Sequence, residues 1–157
     1  MIGLGCDSVW QYTPALLLLG VLCAVGMFNK SWSERYIPLE ISYAGQTLAV
    51  TALVDTGNLL TDPLTGRQVL VLSPYIACKI TNLTQQQLRM PLDTIRTANI
   101  PGLRLIPYRT IGQHGLFLLA LKMRVKMNGQ TEDFLVAFAP DGFAEEGAFQ
   151  ALTGGMV

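Results

Sequence analysis

The chain has 157 residues, enough for one domain with a hydrophobic core and one accessory segment. Its 11 basic and 11 acidic residues cancel, which argues against a nucleic-acid-binding protein, because such proteins carry an excess of positive charge. With one histidine, His114, and three scattered cysteines, the usual residues of a zinc site or a Ser-His-Asp triad are missing. We expect no metal and no cofactor. A Cys78–His114 pair stays open, although no motif supports it.

An uncharged, largely apolar stretch runs from Ser8 to Asn29. A helix over Val9 to Phe28 would cover about 30 Å, the thickness of a bilayer core, at about 1.5 Å per residue. No basic residue precedes the stretch, which argues against a signal peptide. We therefore predict one transmembrane segment within residues 1–30, and the alternative is a long buried helix of a soluble domain.

The charges beside this segment predict its orientation. Lys30 and Arg35 follow the apolar stretch, whereas only Asp7 precedes it. The positive-inside rule then places the rest of the chain in the cytoplasm, attached to the cell membrane. Because only residues 1–7 precede the stretch, we expect a larger membrane domain upstream.

The next elements form a hairpin that ends in an acidic turn. Apolar and polar residues alternate from Ile37 to Tyr43, which is typical of a half-buried strand. Ala44–Gln46 is a turn, and Thr47–Val54 returns as a second, more apolar strand. This strand leads directly into Asp55, a residue type with low strand propensity.

The turn Asp55-Thr56-Gly57 has the residues that an aspartic peptidase needs. The carboxylate of Asp55 can exchange protons, Thr56 brings a short hydroxyl for hydrogen bonds, and Gly57 allows a tight backbone turn. The plainer interpretation is a turn at the end of a strand, since Asp and Gly are common in turns.

The remaining elements are mostly strands. We predict a turn at Asp62–Gly66, a strand at Gln68–Leu72, a short helix at Ser73–Cys78, a helical turn at Thr84–Met90, strands at Arg104–Ile111 and Leu116–Met127, a hairpin turn at Asn128–Gly129, a strand at Phe134–Phe138, and a short helix or strand within Ala144–Leu152. The region 36–157 is therefore predicted to be one mainly β domain with one or two short helices.

The chain holds a single Asp-Thr-Gly, whereas peptide hydrolysis of this kind needs two carboxylates. Asp62, Asp93, Asp133 and Asp141 lie in polar or turn contexts without a matching apolar strand. A two-fold symmetric homodimer with one Asp55 from each subunit would supply both groups. When two carboxylates are brought together in this way they share one proton, because the negative charge of one raises the pKa of the other.

The predicted turn between Tyr108 and Gly115 is a candidate flap over the substrate. Tyr108 and Arg109 are then the candidate substrate contacts, and His114 is expected to be a solvated loop residue. The alternative is an ordinary hairpin tip.

Four stretches in the same order resemble the sporulation sigma-E factor-processing peptidase family (stage II sporulation protein GA). They are Ala52–Asn58, Asp62–Gly66, Arg104–Gly112 and Leu116–Lys122. The resemblance implies a retropepsin-like closed β-barrel that follows several membrane spans. One departure is Ala137, where a retroviral-like fold is expected to have glycine.

The same resemblance implies roles and partners. Asp55 would be the catalytic aspartate, with Thr56 and Gly57 completing its loop. The substrate would be the sigma-E transcription factor precursor, and a signalling protein secreted from the forespore would trigger cleavage through the membrane part. Two alternatives remain: a non-catalytic, membrane-anchored β-barrel that binds a partner, and a retroviral-like peptidase with a different membrane-associated substrate.

Overall fold

The computed structural model describes residues 35–110, 113–143 and 147–154. The chain divides into two units, Met1–Glu34 and Arg35–Val157, and every described residue belongs to the second. In the described ranges we find no helix with the length and apolar character needed to cross a bilayer. The predicted transmembrane segment lies outside those ranges.

The described residues form seven strands and three short helices. The strands are β1 (Tyr36–Tyr43), β2 (Gln46–Val54), β3 (Leu70–Leu72), β4 (Arg104–Thr110), β5 (Gln113–Met127), β6 (Gln130–Phe138) and β7 (Ala151–Thr153). The helices are α1 (Pro74–Thr81), α2 (Gln85–Arg89) and α3 (Pro91–Thr97), all between β3 and β4.

Six of the strands close into a barrel, which confirms the predicted mainly β, closed architecture. The order is β1-β2-β7-β3-β6-β5, and β5 pairs back onto β1. β4 lies outside the ring and pairs with β5. Closure pairs both edges of each barrel strand over part of its length, so few strand edges are left open.

The long strand β5 makes the closure possible. Its first part pairs antiparallel with β4, from Leu116 to Ala120, while Arg124 to Met127 pairs antiparallel with β1. Its opposite edge pairs with β6. One strand therefore belongs both to the barrel wall and to the β4–β5 hairpin beside it.

Two hairpin turns, one between β5 and β6 and one between β1 and β2, have positive φ angles at both central residues. Asn128 and Gly129 have φ angles of 51° and 78°, and Ala44 and Gly45 have φ angles of 48° and 82°. Positive φ at both central residues matches the right-handed twist of the flanking strands. The predicted hairpins β1–β2 and β5–β6 are both confirmed.

The strands bury two hydrophobic clusters. The larger one fills the barrel, and from β5 and β6 it takes the residues Leu119, Leu121, Met123, Val125, Phe134, Val136 and Phe138. The smaller one lies on the opposite face of the same two strands. It consists of Leu118, Ala120, Leu135 and Ala137 from β5 and β6, together with Val69 and Ile106. Leu60 and Tyr108 pack against the smaller cluster, which anchors both the segment after β2 and the strand β4.

The expectation of one or two helices was wrong, since the described residues contain three. α2 begins with a capping box, in which Thr84 and Gln87 bond each other's backbone N–H groups. Pro91 then starts α3 immediately, since proline suits the first turn of a helix. The Thr94 hydroxyl donates to the carbonyl of Gln87 at 2.8 Å and joins the two helices.

Candidate active site

The predicted acidic turn begins where two strands run side by side. β2 and the C-terminal strand β7 pair in parallel, with Val54 opposite Thr153. The N–H of Asp55 continues this pairing and donates to the carbonyl of Thr153 at 2.8 Å. β7 therefore fixes the backbone from which the Asp55 side chain projects.

The loop folds back on the carboxylate of Asp55, which is partly exposed. The N–H of Gly57 donates to Asp55 Oδ1 at 2.9 Å, and the N–H of Asn58 donates to the Asp55 carbonyl at 3.0 Å. A Cβ atom at position 57 would stand 3.1 Å from Asp55 Oδ1. A side chain at position 57 would therefore crowd the carboxylate, which glycine avoids.

Thr56 lies beside these groups with an exposed side chain. Within the residues that the structure describes, its hydroxyl makes no hydrogen bond. The side chain is available at the protein surface next to Asp55.

Asn58 braces the loop from the other side, a role that the sequence analysis missed. Its side-chain oxygen accepts from the N–H of Leu60 at 3.1 Å, and its amide nitrogen lies 3.5 Å from the carbonyl of Val69. The N–H of Val69 donates to the Leu60 carbonyl at 2.9 Å. An Asx turn, in which Asn bonds the N–H two residues on, was the signal available in the sequence.

Asp62 holds the next turn and is almost fully buried, with 3% of its surface exposed. Its carboxylate accepts from the N–H of Leu64 at 3.1 Å and from the hydroxyl of Thr65 at 2.9 Å, and it lies 3.7 Å from the guanidinium of Arg104. Burial raises the pKa of Asp62. The two hydrogen bonds and the nearby positive charge outweigh that effect and leave the pKa below its usual value.

Position 137, where a glycine was expected, holds an alanine of β6. Ala137 is fully buried in β6, where it pairs with Ala120 of β5 and Val71 of β3. A small side chain fits there, and the backbone is a regular strand rather than a turn. Gly154 follows β7, next to Thr153, whose carbonyl accepts the Asp55 N–H. A Cβ at Gly154 would collide with the carboxamide of Gln68.

A cleft of about 650 Å³ lies beside the loop. Gly57 and Asn58 contribute to it from the loop, and Pro107, Tyr108 and Arg109 contribute from β4. The structure thus brings the two predicted substrate-contact residues to the same cleft as the acidic loop. The tip of the β4–β5 hairpin and the side chain of His114 lie outside the described residues.

Two of the other described aspartates that the sequence analysis considered form ion pairs. Asp133 pairs with Lys122 at 3.1 Å and Asp141 pairs with Arg89 at 2.9 Å, while Asp93 lies in the first turn of α3. Asp62 is buried beside Arg104, so among the described aspartates Asp55 and Asp93 have no ion pair, and of these two only Asp55 stands on the loop beside the cleft.

Cys78, the other candidate nucleophile, lies in α1 against the barrel core. Burial raises the pKa of its thiol, although a backbone hydrogen bond partly opposes this. The thiol is therefore protonated at neutral pH, which disfavours nucleophilic chemistry.

A family model matches the sequence over nearly the whole chain. The model of a peptidase family described as sporulation factor SpoIIGA matches residues 4–155. The chain belongs to the SpoIIGA family. The resemblance inferred from the four sequence stretches is thereby confirmed.

Two curated relatives are named as processing peptidases. The sporulation sigma-E factor-processing peptidase of Bacillus subtilis (strain 168) is 34% identical over 104 residues, covering 60% of this chain and 33% of the relative. That of Priestia megaterium (strain ATCC 12872 / QMB1551) is 30% identical over 95 residues, covering 57% of this chain and 31% of the relative. The chain thus spans about a third of the length of these relatives.

Proposed function

We propose that this SpoIIGA-family chain is a membrane-anchored, retropepsin-like aspartic endopeptidase that is active as a homodimer. The observation that carries the proposal is the placement of Asp55. Its partly exposed carboxylate accepts a backbone hydrogen bond from Gly57, on a loop that borders a cleft large enough for a peptide segment. The names of the curated relatives, which are processing peptidases, support the same chemistry.

In the proposed dimer, the two Asp55 carboxylates share one proton. The ionised one takes a proton from water, whose oxygen attacks the scissile carbonyl carbon while the protonated one donates to the carbonyl oxygen. The tetrahedral intermediate then breaks its C–N bond: the leaving nitrogen takes the proton that the first Asp55 received from water, and the second Asp55 regains a proton from a hydroxyl of the intermediate as the product carboxyl group forms. The engagement of Asp62, Asp133 and Asp141 with cations supports a second Asp55 as the missing group.

Thr56 has a proposed role in joining the two subunits. Its exposed side chain, next to Asp55, could reach a backbone group of the partner loop and hold the two loops face to face. Thr56→Val should then weaken both dimerisation and cleavage, while Thr56→Ser should keep both. Sedimentation and cleavage assays check this, and full activity in Thr56→Val would contradict it.

The proposed substrate is the precursor of sigma-E, because the relatives are named as sigma-E factor-processing peptidases. The proposed setting is the cell membrane, with the barrel on the mother-cell cytoplasmic side. A signalling protein secreted from the forespore would act through the membrane part. If monomers are inactive, a membrane part that brings two chains together would switch on cleavage by mass action.

Co-expression with the sigma-E precursor tests the function. The wild-type chain should shorten the precursor, Asp55→Ala should not, and Asp141→Ala, which removes an exposed aspartate, should cleave like the wild type. Cleavage that persists in Asp55→Ala would remove the assignment as an aspartic peptidase. Binding of the precursor by wild type and Asp55→Ala alike, without cleavage, would favour a non-catalytic binding module.

A further inference from the structure

The cleft beside the acidic loop is mostly apolar and has one charged residue in its described lining. Most of its described lining is apolar, formed by Leu59, Leu60, Pro63, Val71, Tyr108 and Leu118. Of the described residues that line it, only Arg109 carries a charge. An extended peptide that fills this cleft would place apolar side chains against the lining and meet a single cation.

The guanidinium of Arg109 is exposed and has no ion pair within the part of the chain that the structure describes. The ion pairs found there are Arg67–Glu132, Arg89–Asp141, Arg104–Asp62, Lys122–Asp133 and Lys126–Glu40. Each acidic partner of these pairs is therefore engaged by another cation. The charge of Arg109 is available to a ligand.

The position of Arg109 on β4 directs this charge at a bound peptide. β4 pairs with β5 on one side and is the outermost strand of the described sheet, so no described strand pairs with its other edge. Pro107, Tyr108 and Arg109 are consecutive, and the register with β5 shifts between Tyr108 and Thr110, so the regular alternation of side chains is broken at Arg109. All three residues line the cleft, so the cleft runs along this part of β4, where a peptide can add as a strand.

We propose that Arg109 is a specificity-determining residue that selects peptides with an acidic side chain next to the apolar side chain that occupies the cleft. The proposal rests on the function proposed above, since the ligand is the substrate of the same site. An exposed ion pair contributes little by itself, so the selection is modest and is screened by salt. The apolar contacts supply affinity, and Arg109 decides which sequences are preferred.

Binding and cleavage are tested separately on the full chain. The probes are octapeptides with Leu and Phe at the centre and a single Glu moved through the flanking positions, each paired with Gln and Lys versions. Binding is measured by fluorescence anisotropy on Asp55→Asn, and cleavage is measured on the wild type. Arg109→Glu and Arg109→Gln are compared with Arg96→Glu, which makes the same charge change at an exposed helix position that does not line the cleft.

At one or two positions, we expect Glu to bind about fivefold more tightly than Gln, a preference lost in Arg109→Gln and reversed towards Lys in Arg109→Glu. Arg96→Glu should keep the wild-type preference. Equal binding of the Glu and Gln peptides at every position, or binding of no peptide, would overturn the proposal. Selective binding without cleavage by the wild type would leave the role of Arg109 standing and count against the peptidase assignment.

Discussion

Asp55 and Asp62 are neighbours in sequence and share a residue type, yet they have opposite surroundings. Asp55 is partly exposed, accepts one backbone hydrogen bond from Gly57, and has no cation beside it among the described residues. Asp62 is buried, accepts hydrogen bonds from Leu64 and Thr65, and lies beside Arg104. The first arrangement leaves oxygen lone pairs available for chemistry, whereas the second uses them to hold a turn.

The difference shows that a turn sequence does not by itself identify a reactive carboxylate. Both residues stand in segments that contain glycine and threonine, Asp55–Gly57 and Asp62–Gly66. Both segments border the large cleft, through Gly57 and Pro63, but only Asp55 follows a barrel strand directly. The stability of the fold and the activity should therefore depend on different members of this pair.

The largest expected effect is on activity, at Asp55. Asp55→Asn keeps an oxygen that can accept from the Gly57 N–H but removes the titratable group. We expect cleavage to fall by about a thousandfold or more, while the free energy of unfolding changes by less than about 0.5 kcal/mol. Precursor cleavage and urea unfolding measure the two quantities. A strongly destabilised Asp55→Asn would mean that Asp55 also has a structural role.

The next effect is on stability, at Asp62. Asp62→Ala leaves the Leu64 N–H and the Thr65 hydroxyl without their acceptor and Arg104 without its counter-ion, so we expect a loss of about 2 kcal/mol. Asp133→Ala is the matched control, because its ion pair with Lys122 is exposed and should cost less than about 0.5 kcal/mol. Similar urea midpoints for the two variants would contradict the structural role of Asp62.

A smaller effect separates two glycines. In Gly57→Ala the new Cβ would crowd Asp55 Oδ1, so we expect cleavage to fall about tenfold, or about 1.4 kcal/mol in the barrier. Gly66 has free space around it but a φ of 69°, so Gly66→Ala should cost about 1 kcal/mol of stability and leave activity unchanged. Loss of activity in Gly66→Ala while the protein remains folded would contradict this division.

The smallest effect is on the pH dependence of stability. The pKa of Asp62 is lower in the folded chain, so the folded state binds fewer protons than the unfolded state. The stabilisation is complete above the unfolded pKa, about 3.9, and is lost as the pH falls through the folded pKa. Urea unfolding below about pH 5 should therefore show a shallower acid decline in Asp62→Asn than in the wild type. Parallel curves would exclude this contribution.

Local sequence was enough to predict much of the fold and part of the candidate site. The β1–β2 and β5–β6 hairpins followed from alternating residues and short turns such as Asn128–Gly129, and the acidic loop followed from an apolar strand that ends at Asp55. The extra helix α3 was missed because the helical pattern was taken to end at Met90. Proline at position 91 starts a new helix rather than a loop.

The sequence by itself determined the strands, the tight turns and the family, because these depend on neighbouring residues and on motifs read in order. Only the tertiary structure decided that β7 lies between β2 and β3, that Asp62 is buried against Arg104, and that Arg109 reaches the cleft beside Asp55. Each of these joins residues far apart along the chain. A three-residue strand such as β7 is too short to reveal its partners by its pattern, so barrel closure, which pairs distant strands, settles them.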